Sequence, residues 1–252
     1  MPLDFIDKPS LIAYFTCGDP SLAATRELAL AAIEAGAEVI ELGVPFSDPV
    51  ADGPVIQRAS ERALRQGTTL ADVLKLAREL RREKPHAGLI IFSYFNPVLR
   101  MGAERFAAQA AEAGVDGALI TDLTVEEAGD YLKAMRAKKL ATVFLAAPTS
   151  TGVRLKRIAA ASTGFVYAVS RTGVTGARQQ LSTDARDLVR RLRKFTKLPV
   201  AVGFGISTAE QFAEAGQFAD AVVVGSALVE IVERGGGASK VGKFIQEMKS
   251  KK

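Results

Sequence analysis

Two carboxylates frame the stretch ELGVPFSDPVADGP, Glu41 to Pro54. Glu41 interrupts the apolar run EVIELGV. Strand alternation puts Val39, Glu41 and Gly43 on one face and Ile40, Leu42 and Val44 on the other. The small Gly43 suits a crowded interior, so Glu41 is expected to point inward. A buried acid is costly unless it is paired or protonated. An apolar setting raises its pKa and suits it to proton transfer. Asp52, in ADGP, fits by itself an Asx turn that only shapes the loop. Set across from Glu41, it becomes a candidate to orient a substrate or stabilise developing charge. Asp122, at the end of GALITD, is a third acid, either catalytic or a structural partner for a loop.

The residue types that are missing narrow the chemistry. The one histidine, His86, follows Pro85 just before an apolar run, away from the strand ends where chemistry is expected. Acid–base or triad chemistry built on histidine therefore has no candidate. Cys17 lacks a histidine partner and reads as a small packed residue. No Cys/His cluster offers a metal site, no lysine lies within an apolar run to form a Schiff base, and no Walker motif is present. Carboxylates, tyrosines and glycine-rich turns remain.

Three late turns are rich in glycine and hydroxyls: Thr172 to Gly176 (TGVTG), Gly203 to Ser207 (GFGIS) and Gly225-Ser226. Backbone N–H groups in such turns, with a helix N-terminus, hold phosphate. GSALVEIV reads as that helix.

These groups need a frame. About eight apolar runs begin at Leu11, Glu38, Gly88, Gly117, Ala141, Gly164, Leu198 and Asp220. They are nearly continuous in apolar residues, as strands buried on both faces must be. Ala-rich amphipathic segments separate them. A recurring unit, such as IEAGAEVIELGV, AEAGVDGALITDL and AEAGQFADAVVVGS, places Gly36, Gly114 and Gly216 at helix C′ positions. Regular β–α alternation over 252 residues predicts an α/β fold, one (β/α)8 TIM barrel spanning residues 1–252. An open doubly wound sheet is the alternative, but no G-x-G-x-x-G follows the first run. Barrel enzymes work at the C-terminal ends of their strands. Those ends carry the polar and glycine-rich text here: TCGDP, GVPFSDP, SYFNP, TDLT, APTST, SRTGVTG, GFGIS and VGSA.

The net charge of +5 sits in mixed, helix-like segments such as ARELRREK and LVRRLRK, which read as solvated faces, so no nucleic-acid partner is expected. No apolar segment is long enough to span a bilayer. MPLDFIDKPS lacks a basic region followed by an apolar run, so no signal peptide is expected. The single cysteine rules out an internal disulfide framework. A cytoplasmic location is the expectation.

From Tyr14 to the last helix, the text resembles the α subunits of tryptophan synthase. TCGDP, ELGVPFSDPVADGP, SYFNPV, TDL, APTS, YAVSRTGVTG, GFGIS and VGSA carry the likeness in order and spacing. The resemblance implies retro-aldol cleavage of indole-3-glycerol phosphate to indole and glyceraldehyde 3-phosphate. Glu41 matches the family's acid–base glutamate. Asp52 matches the aspartate that accepts a hydrogen bond from the indole N–H. Tyr167 matches a tyrosine lining the site, and Phe204 falls in a substrate-binding turn. Gly176, Gly205, Gly225 and Ser226 match the phosphate positions. Arg171 and Thr175 lie in the loop that closes over substrate, Thr175 being the residue that contacts the catalytic aspartate. The resemblance also implies an α2β2 assembly with a β subunit, reached through Phe46, Asp48 and Pro49 and through Asn96 to Arg100. Pyridoxal phosphate is expected only in that partner; this chain is expected to hold no cofactor and no metal.

Two departures from the family text bear on these expectations. Many members begin with an extra helix, for which MPLDFIDKPS is too short, so a less covered barrel floor is expected. Asp122-Leu123-Thr124 stands where Asp-Leu-Pro is common, in a loop toward the partner. Rival readings are indole-glycerol-phosphate synthase, which needs a strand lysine, a sugar-phosphate epimerase, which needs metal-binding histidines, and a non-catalytic barrel that regulates a partner. Intact Glu41 and Asp52 speak against the last.

Overall fold

The protein is described from a computed structural model, in which residues 3, 5, 8–169, 178–203 and 205–250 are placed. Eight parallel strands close into a barrel in chain order, with β1 pairing both β2 and β8. The strands are β1 (Ser10–Thr16), β2 (Val39–Gly43), β3 (Gly88–Ser93), β4 (Gly117–Ile120), β5 (Ala141–Ala146), β6 (Val166–Val169), β7 (Val200–Gly203) and β8 (Ala221–Val224). Each lies within an apolar run read from the sequence or overlaps it, and closure through β1 and β8 excludes the open sheet.

Helices surround the barrel: α1 (Leu22–Glu34), α2 (Pro54–Arg65), α3 (Leu70–Glu83), α4 (Phe95–Met101), α5 (Ala103–Glu112), α6 (Gly129–Ala137), α7 (Gly152–Ala161), α8 (Arg178–Leu192), α9 (Ala209–Gly216), α10 (Ser226–Glu233) and α11 (Ala238–Lys249). Their starts follow local chemistry. Ser21 and Thr151 cap α1 and α7, and Thr69–Asp72 and Thr208–Gln211 form capping boxes on α3 and α9. Gly36 and Gly114 take left-handed conformations after their helices, as expected. Gly216 does not: it lies inside α9, where a Cβ would come 2.3 Å from Pro9. Close packing, not a cap, calls for glycine there.

Residues alternate between two cores. Ile40, Leu42, Leu89, Ile91 and their counterparts face the helices. Ile12, Val39, Ile90, Leu119, Val143, Phe165, Ala201 and Ala221 fill the lumen. The short N-terminal segment still reaches the floor: Leu3 and Phe5 are buried in the lumen cluster, and the Phe5 ring meets Phe165 edge-on at 5.5 Å. Burying one such ring stabilises by ~1.5–3 kcal/mol. Beside Leu3 a cavity of about 740 Å³ opens between Leu132, Arg136 and Pro199, so the floor is plugged at its centre and open at one side.

A four-fold pattern ties the floor. A polar side chain just before each even-numbered strand accepts from a backbone N–H in the preceding strand. Glu38 accepts from Leu11 at 2.6 Å, Asp116 from Leu89 at 2.8 Å, Thr163 from Thr142 at 3.0 Å and Asp220 from Val200 at 2.8 Å. Each acid has a basic partner, Lys249, Arg81 or the pair Lys8 and Arg193. Strand-edge N–H groups at the floor are thereby satisfied, which leaves the opposite end of the barrel for chemistry.

Candidate active site

The inward face of β2 carries Glu41 to the upper lumen. Its Cα is in register with Tyr14 of β1 and Ile90 of β3. Glu41 is 0% exposed, and neither carboxylate oxygen has a hydrogen-bond partner. Burial pushes its carboxyl up to about 8. A buried acid without a partner is a standing cost to the fold.

Asp52 lies on the loop between β2 and α2. Tyr94, just beyond β3, donates its hydroxyl to Asp52 Oδ2 at 3.0 Å and accepts from the Ala51 N–H at 2.9 Å. Gln57 of α2 donates to the Asp52 backbone carbonyl at 2.8 Å. Burial pushes the Asp52 carboxyl up to about 6, against the pull of the Tyr94 hydrogen bond. The two acids therefore differ in state between these values: Glu41 is protonated while Asp52 is ionised.

A cavity of about 290 Å³ joins them, near the lower end of the ~300–1,000 Å³ usual for ligand sites. Tyr14, Phe92, Leu145 and Tyr167 form its apolar walls, and Gly205, Gly225 and Ser226 line it as well. Glycine makes room for the tyrosines. A Cβ on Gly43 would sit 2.4 Å from the Tyr14 hydroxyl, and one on Gly203 would sit 2.1 Å from that of Tyr167. Gly225 is the N-cap of α10 and Ser226 its first residue, and no side chain caps this helix. Its first N–H groups are thus open to an anion in the cavity.

Six residues expected in the site, Glu41, Asp52, Tyr167, Gly205, Gly225 and Ser226, line this one cavity. Arg171, Thr175, Gly176 and Phe204 lie outside the described residues. Asp122 does not line it: its Oδ1 accepts from the Phe95 N–H at 2.6 Å, at the start of α4, which is the structural role. Phe46 stacks on Tyr94 with centroids 5.0 Å apart, joining the loop after β2 to that after β3. Asp48, Asn96 and Arg100 are exposed beside them, Pro49 is half-buried, and Val50 and Leu99 expose 85% and 62% of their surface. Tyr14, Phe92, Tyr94 and Leu145 were not singled out from the sequence. The inward alternation that exposed Glu41, applied to β1, β3 and β5, finds Tyr14, Phe92 and Leu145. Tyr94 needs the fold.

Among the described residues, no group of three His, Cys, Asp or Glu side chains is placed to hold a metal ion, and no helix is long and apolar enough to cross a membrane.

The family model "Tryptophan synthase alpha chain" matches residues 5–251. A tryptophan synthase alpha chain of Solibacter usitatus is 53% identical over 247 residues, covering 96% of this chain and 92% of that protein. Among solved structures, one of the tryptophan synthase α2β2 complex of Pyrococcus furiosus superposes with a TM-score of 0.89 at 42% identity, covering 96% of this chain and 98% of that one. A tryptophan synthase structure from M. tuberculosis superposes with a TM-score of 0.88 at 38% identity, covering 96% and 92%.

Proposed function

The chain belongs to the tryptophan synthase alpha chain family, and from that premise we propose how its residues carry out the family's reaction. The enzyme is a lyase of tryptophan biosynthesis that cleaves indole-3-glycerol phosphate to indole and glyceraldehyde 3-phosphate. It works as the α subunit beside a tryptophan synthase β subunit.

In our reading the protonated Glu41 carboxyl gives its proton to the indole ring carbon that bears the side chain. The ring becomes a cation with its charge at nitrogen. Ionised Asp52 accepts the N–H hydrogen bond there and stabilises that charge. The Glu41 carboxylate then takes the proton of the side-chain hydroxyl next to the ring. As that carbon becomes the aldehyde, the carbon–carbon bond breaks and its electron pair restores the aromatic ring. One glutamate thus gives and recovers a proton, and no other acid is needed. The observation that carries this reading is the fully buried, unpartnered Glu41 carboxyl facing the cavity that Asp52 also lines.

The phosphate is held by the N–H groups of Gly225 and Ser226 at α10, with Gly205 lining the same cavity. Tyr14, Phe92, Leu145 and Tyr167 hold the indole. The β subunit docks on the rim formed by Phe46, Asp48, Pro49, Asn96 and Arg100, where apolar Val50 and Leu99 stand exposed. The chain itself takes no pyridoxal phosphate, since none of the eight strands carries a lysine to form its aldimine; that cofactor belongs to the partner. We place the enzyme in the cytoplasm, in keeping with a single buried, free cysteine. The test is release of indole from indole-3-glycerol phosphate by the purified chain, with and without a β subunit; no indole under either condition overturns the reading.

A further inference from the structure

Four charged side chains, two of them on α2, form one connected network that the reaction as described does not use. Arg62 donates through Nε and Nη2 to both carboxylate oxygens of Asp19, each at 2.8 Å, and through Nη1 to Glu233 at 2.8 Å. Arg58 grips both oxygens of Glu233 at 2.8 Å. Asp19 lies in the loop after β1 and its side chain is only 3% exposed, whereas Arg58 is 49% exposed. The network thus joins three parts: the loop after β1, helix α2 and helix α10.

Both helices begin at the site. α2 starts at Pro54, just past Asp52, and its Gln57 holds the Asp52 carbonyl. α10 starts at Ser226, where the phosphate is placed. Between them the contact is apolar: Val55, Ile56 and Ala59 pack with Val229 and Tyr14. Apolar contact is non-directional and does not by itself fix how one helix is turned against the other. Paired guanidinium–carboxylate forks do fix it.

We propose that Glu233 and Arg62 are positioning residues: the Arg58–Glu233 fork and the single Arg62–Glu233 bond set α2 against α10, the Arg62–Asp19 fork ties α2 to the loop after β1, and together they set the Asp52 carboxylate against the bound phosphate. The inference rests on the reaction assigned above. It gives Glu233, outside the cavity, a part in turnover and none in phosphate binding.

Glu233→Gln is the first variant. It removes the charge and one of the two acceptor oxygens that link the helices, and leaves Arg62 on the buried Asp19, which truncation of Arg62 would strand. Arg62→Lys is the second, keeping the charge and losing the fork. Each is assayed for kcat on indole-3-glycerol phosphate, for the Kd of sn-glycerol 3-phosphate and for Tm. Glu233→Gln is expected to lower kcat about tenfold, short of the ~10²-fold that a misplacement of roughly 1 Å can cost. Its Kd for sn-glycerol 3-phosphate should stay at or below the wild-type value. Glu233 lies at the opposite end of α10 from Ser226, and losing its negative charge would, by charge alone, tighten phosphate binding if it acted at all, so a fall in kcat marks position. Arg62→Lys is expected to lose kcat likewise. Variants with kcat within twofold of wild type overturn the proposal. So do variants that lose kcat, phosphate affinity and Tm together, which marks a scaffold role. A wild-type chain that releases no indole overturns the assigned reaction along with it, which separates the two failures.

Discussion

The Tyr94 hydroxyl stands 3.0 Å from Asp52 Oδ2 and donates to it, so a residue beyond β3 holds a carboxylate on the loop after β2. That bond favours the charged form of Asp52, against the desolvation that pushes its carboxyl up to about 6. Glu41, with no such partner, rises to about 8. The division of labour between the two acids follows from the deeper burial of Glu41 and from the hydrogen bond that Asp52 has and Glu41 lacks.

Turnover should therefore need Asp52 ionised and Glu41 protonated. kcat/KM is expected to rise with pH through about 6 and fall through about 8. Tyr94→Phe removes a bond that lowers the Asp52 pKa, so its acidic limb should move to higher pH while the basic limb stays. A pH series on both proteins reads this directly. An acidic limb unmoved in the variant would show that Tyr94 does not control Asp52.

Glu41→Gln keeps the shape of the side chain and loses the proton. Indole release should fall by ~10²–10⁴-fold, the usual size of a general acid–base contribution. Binding of sn-glycerol 3-phosphate, placed at Gly225 and Ser226, should persist. Near wild-type turnover in the variant is the result that contradicts the assignment.

The barrel was legible because its strands are buried on both faces and interrupted by helices; each apolar run from Leu11 to Asp220 marks a strand. The same alternation predicted that Glu41 points inward. What the text hid was set by contacts between strands. Asp122 read as a third candidate acid, and only its bond to the Phe95 N–H shows it starting a helix. Gly216 looked like a cap because it follows an Ala-rich helix, but Pro9, far away in the chain, is what excludes a side chain there. Tyr94 acquires its role from a loop that neighbours it only once the barrel closes.

The unpartnered acid should also cost stability in a pH-dependent way. A folded-state pKa near 8 lies above the ordinary glutamate value, so between the two the unfolded chain loses a proton that the native chain keeps. The part of the glutamate's penalty that comes from ionisation is absent below the ordinary glutamate pKa, grows as pH rises, and is complete above about 8. Glu41→Leu removes it. The variant should melt above wild type at pH 8, with the gap shrinking toward pH 4.5, and should be inactive. Melting curves at the two pH values decide it. A gap that does not change with pH means that packing, not ionisation, sets the difference.

Ser226→Asp puts a carboxylate at the uncapped start of α10. It should complement the dipole of the helix in its first turn, leaving Tm equal to or above wild type, while repelling the anion. Calorimetry with sn-glycerol 3-phosphate should show no binding at concentrations that saturate wild type. Retained affinity would move the phosphate site away from α10.

Phe46 stacks on Tyr94 at 5.0 Å, and Tyr94 holds Asp52, so the rim assigned to the β subunit is two contacts from the Asp52 carboxylate. A partner that presses on the loop after β2 favours one placement of Phe46, and through Tyr94 one placement of Asp52. By population shift alone, binding that favours the competent arrangement raises the rate. Steady-state indole formation by the chain should climb as β subunit is added and level off at the stoichiometric point. Phe46→Ala breaks the stack and leaves the Tyr94 bond to Asp52 in place. It should keep the low activity of the isolated chain and lose most of the climb, even at β concentrations high enough to saturate binding. A flat titration for the wild type would mean that the isolated chain already holds the competent arrangement. An undiminished climb in the variant would mean that activation reaches Asp52 by a route other than the stacked rings.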